Sequence, residues 1–203
     1  AVDQAPSPRT WYLPIFTVQN PMKPEKTRVV WDCAARYHGR SLNDVLVSGP
    51  DLTVPLVNVL IRFRTGKYAV SGDIEEMFHQ VFVREQDRCA QRFFWRDNRD
   101  QELKVWEMCV LSFGATCSPT LAQYVKNLNA SLHEEEHPRA AKAIIEDHYV
   151  DDYLDCDEEE SVLCERAACV RKIHQEGGMK MHKFTSNSRA ILQGLGLPEE
   201  ADK

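Results

Sequence analysis

The chain has 203 residues, 43% of them hydrophobic and 28% charged, with nine Gly and ten Pro. That composition can bury a sizeable core and excludes a disordered tail, a collagen-like repeat and a disulfide-stapled miniprotein. The net charge of −6 is unevenly spread, with nine Lys and Arg against five Asp and Glu in residues 1–70, but nine against seventeen in residues 131–203. A basic front and an acidic back suit a phosphate-binding surface at one end and cation-binding carboxylates at the other.

In chain order, residues 1–10 read as a loose lead-in. A Pro-containing loop at Lys23 turns into a strand through Thr27-Arg28-Val29-Val30-Trp31. Gly49-Pro50-Asp51 predicts a turn and an N-cap. Leu52, Leu56, Val59, Leu60 and Phe63 follow at helical spacing, closed by Gly66. Tyr68 to Ile74 reads as a strand, and so does Phe78 to Val83. Cys89–Trp95 and Leu103–Leu111 form a hairpin around a polar turn. Ser118-Pro119 opens a helix to about Leu132, with Ser at the cap and Pro at the first helical position. Pro138 opens a shorter helix to about Glu146.

Tyr149-Val150-Asp151-Asp152-Tyr153-Leu154 places a pair of acids between two apolar arms, the pattern of a hairpin with carboxylates at its tip. A helix from about Glu159 to Gln175 ends at Gly177-Gly178. A last strand pair is expected in Met179–Thr185 and Ala190–Leu195. Strands and helices mix without a regular βαβ repeat, so the class is α+β.

No apolar run approaches the roughly 18 residues of a membrane span; Leu52–Ile61 is broken by Thr53, Pro55 and Asn58. Seven Cys form no CxxC pair, so they read as small buried residues in a reducing compartment. The opening Ala-Val-Asp-Gln has neither a Met nor a leader, so the chain is expected to begin partway through a longer product.

The acid pair is the most informative feature. A turn breaks strand alternation, so Asp151 and Asp152 can approach one cation, and two like charges in one place call for such a neutraliser. Hard oxygens suit Mg²⁺. A third acid is needed to hold two ions about 4 Å apart, and Asp73, at the end of its own strand, is the candidate. A lone acidic pair is otherwise a solvated turn.

Asp73-Ile-Glu-Glu-Met-Phe78, Leu111-Ser-Phe-Gly114-Ala-Thr-Cys-Ser118-Pro119 and Tyr149-Val-Asp151-Asp152 occur in that order, each about forty residues from the next. The series resembles the A, B and C motifs of reverse transcriptases. It is most similar to the Pao/BEL group of LTR retrotransposons, whose polyproteins carry similar wording in RVVWDCAARYHGRSLNDVLVSGPDL, DIEEMFHQV, LSFGATCSP and YVDDYLD. The resemblance runs from Tyr12 to Leu197.

It implies an RNA-directed DNA polymerase core that transfers dNMP from dNTP to a primer 3′-hydroxyl on an RNA or DNA template. Asp73, Asp151 and Asp152 would hold two Mg²⁺ ions (Mn²⁺ substituting), with the carbonyl of Ile74 as an added ligand. Phe78 falls where the family has a steric gate against a 2′-hydroxyl; an ordinary core aromatic is the alternative. Arg28 has the spacing of a triphosphate-binding Arg, accompanied by Lys26 or Lys23.

Phe113-Gly114 would press on the nucleotide and template base, with Phe where many retroviral enzymes have Gln. By the same resemblance Tyr149 would touch primer or template, with packing in the core as the alternative. Lys183, with Lys180 as rival, matches a proton donor to pyrophosphate. Asp155, Asp157 and Glu158–Glu160 read as solvated charge.

The implied architecture is a right-hand fingers–palm, with a ferredoxin-like palm sheet and helices on one face. After a lead-in at 1–9, fingers take 10–48 and 81–117, palm takes 49–80 and 118–197, and 198–203 is a tail. Thumb, connection and ribonuclease H are expected elsewhere in the polyprotein, in the cytoplasm within a virus-like particle, with no membrane partner. The alternatives are an inactive relic or domesticated fragment that binds nucleic acid or a protein, and an RNA-templated RNA polymerase.

Overall fold

The computed structural model describes Val2 and residues 7–197, so most of the expected lead-in and the whole tail lie outside the described residues. The fold separates into two compact units, residues 1–50 with 78–119 and residues 51–77 with 120–203.

The first unit carries two small hairpins. β1 (Ile15–Asn20) pairs antiparallel with β2 (Lys23–Trp31). Sequence reading found only the second of these strands, because the Phe-Thr-Val-Gln stretch is short and largely exposed. The other hairpin joins β4 (Arg92–Trp95) and β5 (Lys104–Glu107). It is shorter than expected because Glu85–Gln91 forms 3₁₀ turns. The core of this unit gathers Leu13, Cys33, Leu42 and Ala115, with Trp11, Trp31 and Leu46 packed on it. The strand expected at Phe78–Val83 is absent. Met77–Gln80 is a 3₁₀ turn, and only Phe82 bridges a partner, Val110. Glu76, at φ 47, has already left the extended region just before it.

The second unit is built on a four-stranded antiparallel sheet of β3 (Tyr68–Ile74), β6 (His148–Tyr149), β7 (Asp152–Asp157) and β8 (Met181–Ser186). Across the sheet they lie in the order β6-β7-β3-β8. Helices α2 (Ser118–Ser131) and α3 (Pro138–Glu146) connect β3 to β6, and α4 (Glu160–Glu176) connects β7 to β8. This is the βαββαβ arrangement of ferredoxin-like domains. Leu163, Ala167, Val170 and Ile173 recur at helical spacing along α4 and are fully buried, as are Ile74 and Tyr153 of the sheet. Among the described residues no helix is long and apolar enough to cross a membrane.

Three local expectations fail for backbone reasons. Helix α1 (Leu56–Arg62) begins four residues later than expected from Leu52, because Pro55 stands at its cap in an extended conformation and Val54 precedes a proline. Asp51 instead accepts a hydrogen bond from the Thr53 amide. Ser118 does not cap its own helix; its hydroxyl donates to the Ser112 carbonyl at 2.8 Å. The last expected strand, Ala190–Leu195, is helix α5 (Arg189–Gly194), started by Ser188, whose hydroxyl accepts from the Ala190 amide.

Gly66 lies beyond the end of α1 at Arg62 and serves packing. A Cβ there would sit 2.6 Å from the Asp157 backbone nitrogen. Backbone cannot swing aside, so Gly66→Ala is expected to destabilise the chain by about 1–3 kcal/mol. Urea denaturation checks this, and an unchanged midpoint contradicts the close approach.

Candidate active site

The sheet brings three carboxylates to one end. Asp73 and Asp152 are direct cross-strand partners on β3 and β7, so their side chains share a face. Asp151 sits in the two-residue turn between Tyr149 and Asp152, which face each other. Its carbonyl accepts a hydrogen bond from the Ile74 amide at 2.9 Å, tying the turn to the residue after Asp73. The turn has φ 57 at Val150. A positive φ in this first position suits glycine, and a β-branched residue there is strained.

Two basic side chains meet this cluster. Lys183 Nζ lies 2.5 Å from Asp73 Oδ2, and His182 Nε2 reaches the same oxygen at 3.2 Å. The rival Lys180 is engaged elsewhere, 2.8 Å from Glu75. Partial withdrawal from water, opposed by its own backbone amide, and then the charge of Asp73 raise Asp151 above the ordinary carboxylate value. Asp152 is raised by the same desolvation and then by Asp151 and Asp73. Lys183 pulls both back down.

Next to Asp152 on β7, Tyr153 is fully buried and donates to Asp155 at 2.6 Å. Arg166 of α4 forks onto both Asp155 oxygens and reaches Asp157. Asp155 is thus a buried partner in a braced strand and not the solvated charge expected of it, because the strand's alternation turns it toward α4.

In the first unit the Phe113 ring meets Phe78 at 4.8 Å between centroids and His79 at 5.1 Å. Gly114 has φ +103, and a Cβ there would lie 2.9 Å from the Trp31 carbonyl oxygen, so this loop needs glycine on two counts. Asn43 pins the loop: its amide donates to the Gly114 carbonyl and its carbonyl accepts from the Thr116 amide, both at 2.9 Å. Arg28 is exposed on β2 opposite Val18. The side chains of Lys23 and Lys26 lie outside the described residues. Asn43 and His182 were not singled out from sequence, although Asn43 lies inside the SLND stretch and His182 beside Lys183.

As to metal, the donor chemistry of Asp73, Asp151 and Asp152 fits a hard divalent cation, and their mutual repulsion calls for one. Among the described residues no group of three such side chains is closed into a ligand set; Lys183 and His182 stand on Asp73.

The structure is similar to the prototype foamy virus protease–reverse transcriptase (a CSH mutant), with TM-score 0.65 and 17% identity over 91% of this chain. It is also similar to the foamy viral protease–reverse transcriptase dRH solved in complex with double-stranded DNA, with TM-score 0.60 and 22% identity over 84%. The chain spans 22% and 26% of the length of those two proteins. Among curated proteins none matches. The class is therefore the fingers–palm fold that those two structures have. Residues 23–186 match the family model of reverse transcriptase (RNA-dependent DNA polymerase), and the chain belongs to that family.

Both raised acids lie above their unfolded values, so the stability they contribute is complete below the unfolded carboxylate range and is lost as pH rises through the folded values. Asp151→Asn removes that loss. In metal-free buffer it is expected to stabilise the chain at about pH 7 by on the order of 1 kcal/mol or less after solvent screening, and not at about pH 3. Thermal melts at the two pH values check this; an equal gain at both contradicts it.

Proposed function

We propose that the chain is the nucleotidyl-transfer core of an RNA-directed DNA polymerase of a Pao/BEL-type retrotransposon polyprotein, working on a primed RNA or DNA template. The observation that carries the reading is the gathering of Asp73, Asp151 and Asp152 at one end of the sheet in a member of the reverse transcriptase family. In this reading residues 10–48 and 81–117 are fingers, and 49–80 and 118–197 are palm. Thumb and ribonuclease H belong to the remainder of a polyprotein that works in a cytoplasmic virus-like particle.

The three aspartates, with the carbonyl of Ile74, would hold two Mg²⁺ ions (Mn²⁺ substituting). When bound, these supply a lowered pKa for the primer 3′-hydroxyl and charge neutralisation for the triphosphate. The chain's own groups do the rest. Arg28 offers a planar fork to phosphate oxygens, with Lys23 or Lys26 adding charge. Phe113 and Gly114 present an apolar, close-approaching loop to the nucleotide and template base. Phe78, held edge-on to Phe113, offers a flat ring that leaves no room for a 2′-hydroxyl. Tyr149, the neighbour of the acids across the turn, contacts primer or template. Lys183 donates the proton that departing pyrophosphate needs.

Primer extension with dNTPs and Mg²⁺, by this chain alone or within its parent polypeptide, tests the reading. The Asp151→Asn/Asp152→Asn double variant is expected to lose at least about 100-fold in rate, the scale of losing an electrostatic stabiliser. Equal extension by both proteins rejects the polymerase assignment and leaves a non-catalytic fragment that binds nucleic acid or a partner. Phe78→Val is expected to raise ribonucleotide over deoxynucleotide use by roughly tenfold or more. An unchanged sugar preference removes the gate.

A further inference from the structure

Lys183 owes its position to an irregularity in its strand. β8 runs alongside β3 in register as far as Ser71 opposite Thr185, and then slips so that Asp73 faces His182. The slip is a bulge on β8, and Lys183, within it, has φ 51. A bulge re-aims a side chain, and a lysine in the left-handed region is strained unless its surroundings determine it.

The surroundings do so. Phe184, the next residue, is buried, and its ring lies so close to Gly72 that a Cβ there would stand 2.9 Å from a ring carbon. With Phe184 seated under Gly72, the neighbouring Lys183 lands with Nζ 2.5 Å from Asp73 Oδ2. The lysine side chain is 56% exposed and the aspartate 24%, so the ammonium is the more solvent-facing partner of the pair. Its charge also lowers Asp151 and Asp152, so it serves all three acids.

Asp73 Oδ2 already accepts from the Lys183 ammonium and meets His182, so a divalent ion drawn to that oxygen competes with a cation in place. Resting on the metal reading of the acids, we propose that Lys183 is a built-in cation that holds Asp73 in the metal-free chain. Metal entry displaces it and releases it toward the triphosphate. Metal binding and the freeing of the proton donor are then one exchange, with the bulge as its fixed pivot.

Mn²⁺ binding to the 203-residue chain, read by electron paramagnetic resonance of the free ion without any nucleotide or turnover, tests this. Lys183→Gln removes the competing charge and is expected to tighten Mn²⁺ binding by about fivefold, the scale of a part-exposed ion pair. Lys183→Arg keeps a cation and is expected to stay near the wild-type affinity. A lysine that merely supports the fold would weaken binding on removal, never tighten it. Circular dichroism confirms folding, and Lys183→Met replaces the Gln variant should that one not fold.

Unchanged or weaker binding in the folded neutral variant, while wild type binds through its acids, overturns the exchange and leaves the polymerase reading standing. Mn²⁺ uptake that persists undiminished in Asp151→Asn/Asp152→Asn, or no uptake by wild type and Lys183→Gln alike, overturns the metal reading together with the exchange.

Discussion

Three negative charges at one end of a sheet are a conflict that the second unit is built around. Asp73 and Asp152 face each other across paired strands, where like charges repel, and Asp151 adds a third from the turn. The conflict shows in the two basic side chains gathered on a single Asp73 oxygen; burial first, and the neighbouring acids after it, push Asp151 and Asp152 up. Folding for stability alone would place apolar or oppositely charged residues there. A fold that keeps the acids converged needs rigid supports beneath them.

Those supports are identifiable. Under the hairpin, Tyr153 is buried and hydrogen-bonded to Asp155, and Arg166 of α4 clamps Asp155 and Asp157. An ionic network buried this far is justified only when every member is satisfied. Here the guanidinium is shared among Asp155, Asp157 and the Cys156 carbonyl. The result is a strand that cannot slide or roll, so the turn it feeds keeps its place. The Ile74 amide then fastens the turn from the neighbouring strand. The first unit uses a different device, a loop too tight for any side chain at Gly114, anchored at both ends by Asn43 and faced by aromatic rings.

Much of this was legible in the residues. The acid pair between apolar arms predicts the hairpin, and Pro138 and Gly177-Gly178 predict where helices begin and end. In each case the deciding interactions are between near neighbours in the chain. The failures share an opposite cause. Ala190–Leu195 has the apolar content of a strand, and a single hydroxyl cap at Ser188 makes it a helix. Phe78–Val83 alternates like a strand, yet Glu76 has already turned the backbone out of line. Asp155 looks like one of many surface acids until an arginine eleven residues later covers it.

By itself the sequence determined the family, the order of its motifs and the chemical type of each candidate group, because carboxylate, guanidinium and aromatic ring are properties of single residues. Only the tertiary structure decided that Asp73 faces Asp152 and that Lys183, not Lys180, reaches Asp73. Those facts depend on register, and one slipped residue in β8 sets where the lysine goes. Register follows from packing between strands more than a hundred residues apart, such as Phe184 beneath Gly72, and no local pattern in either strand encodes it.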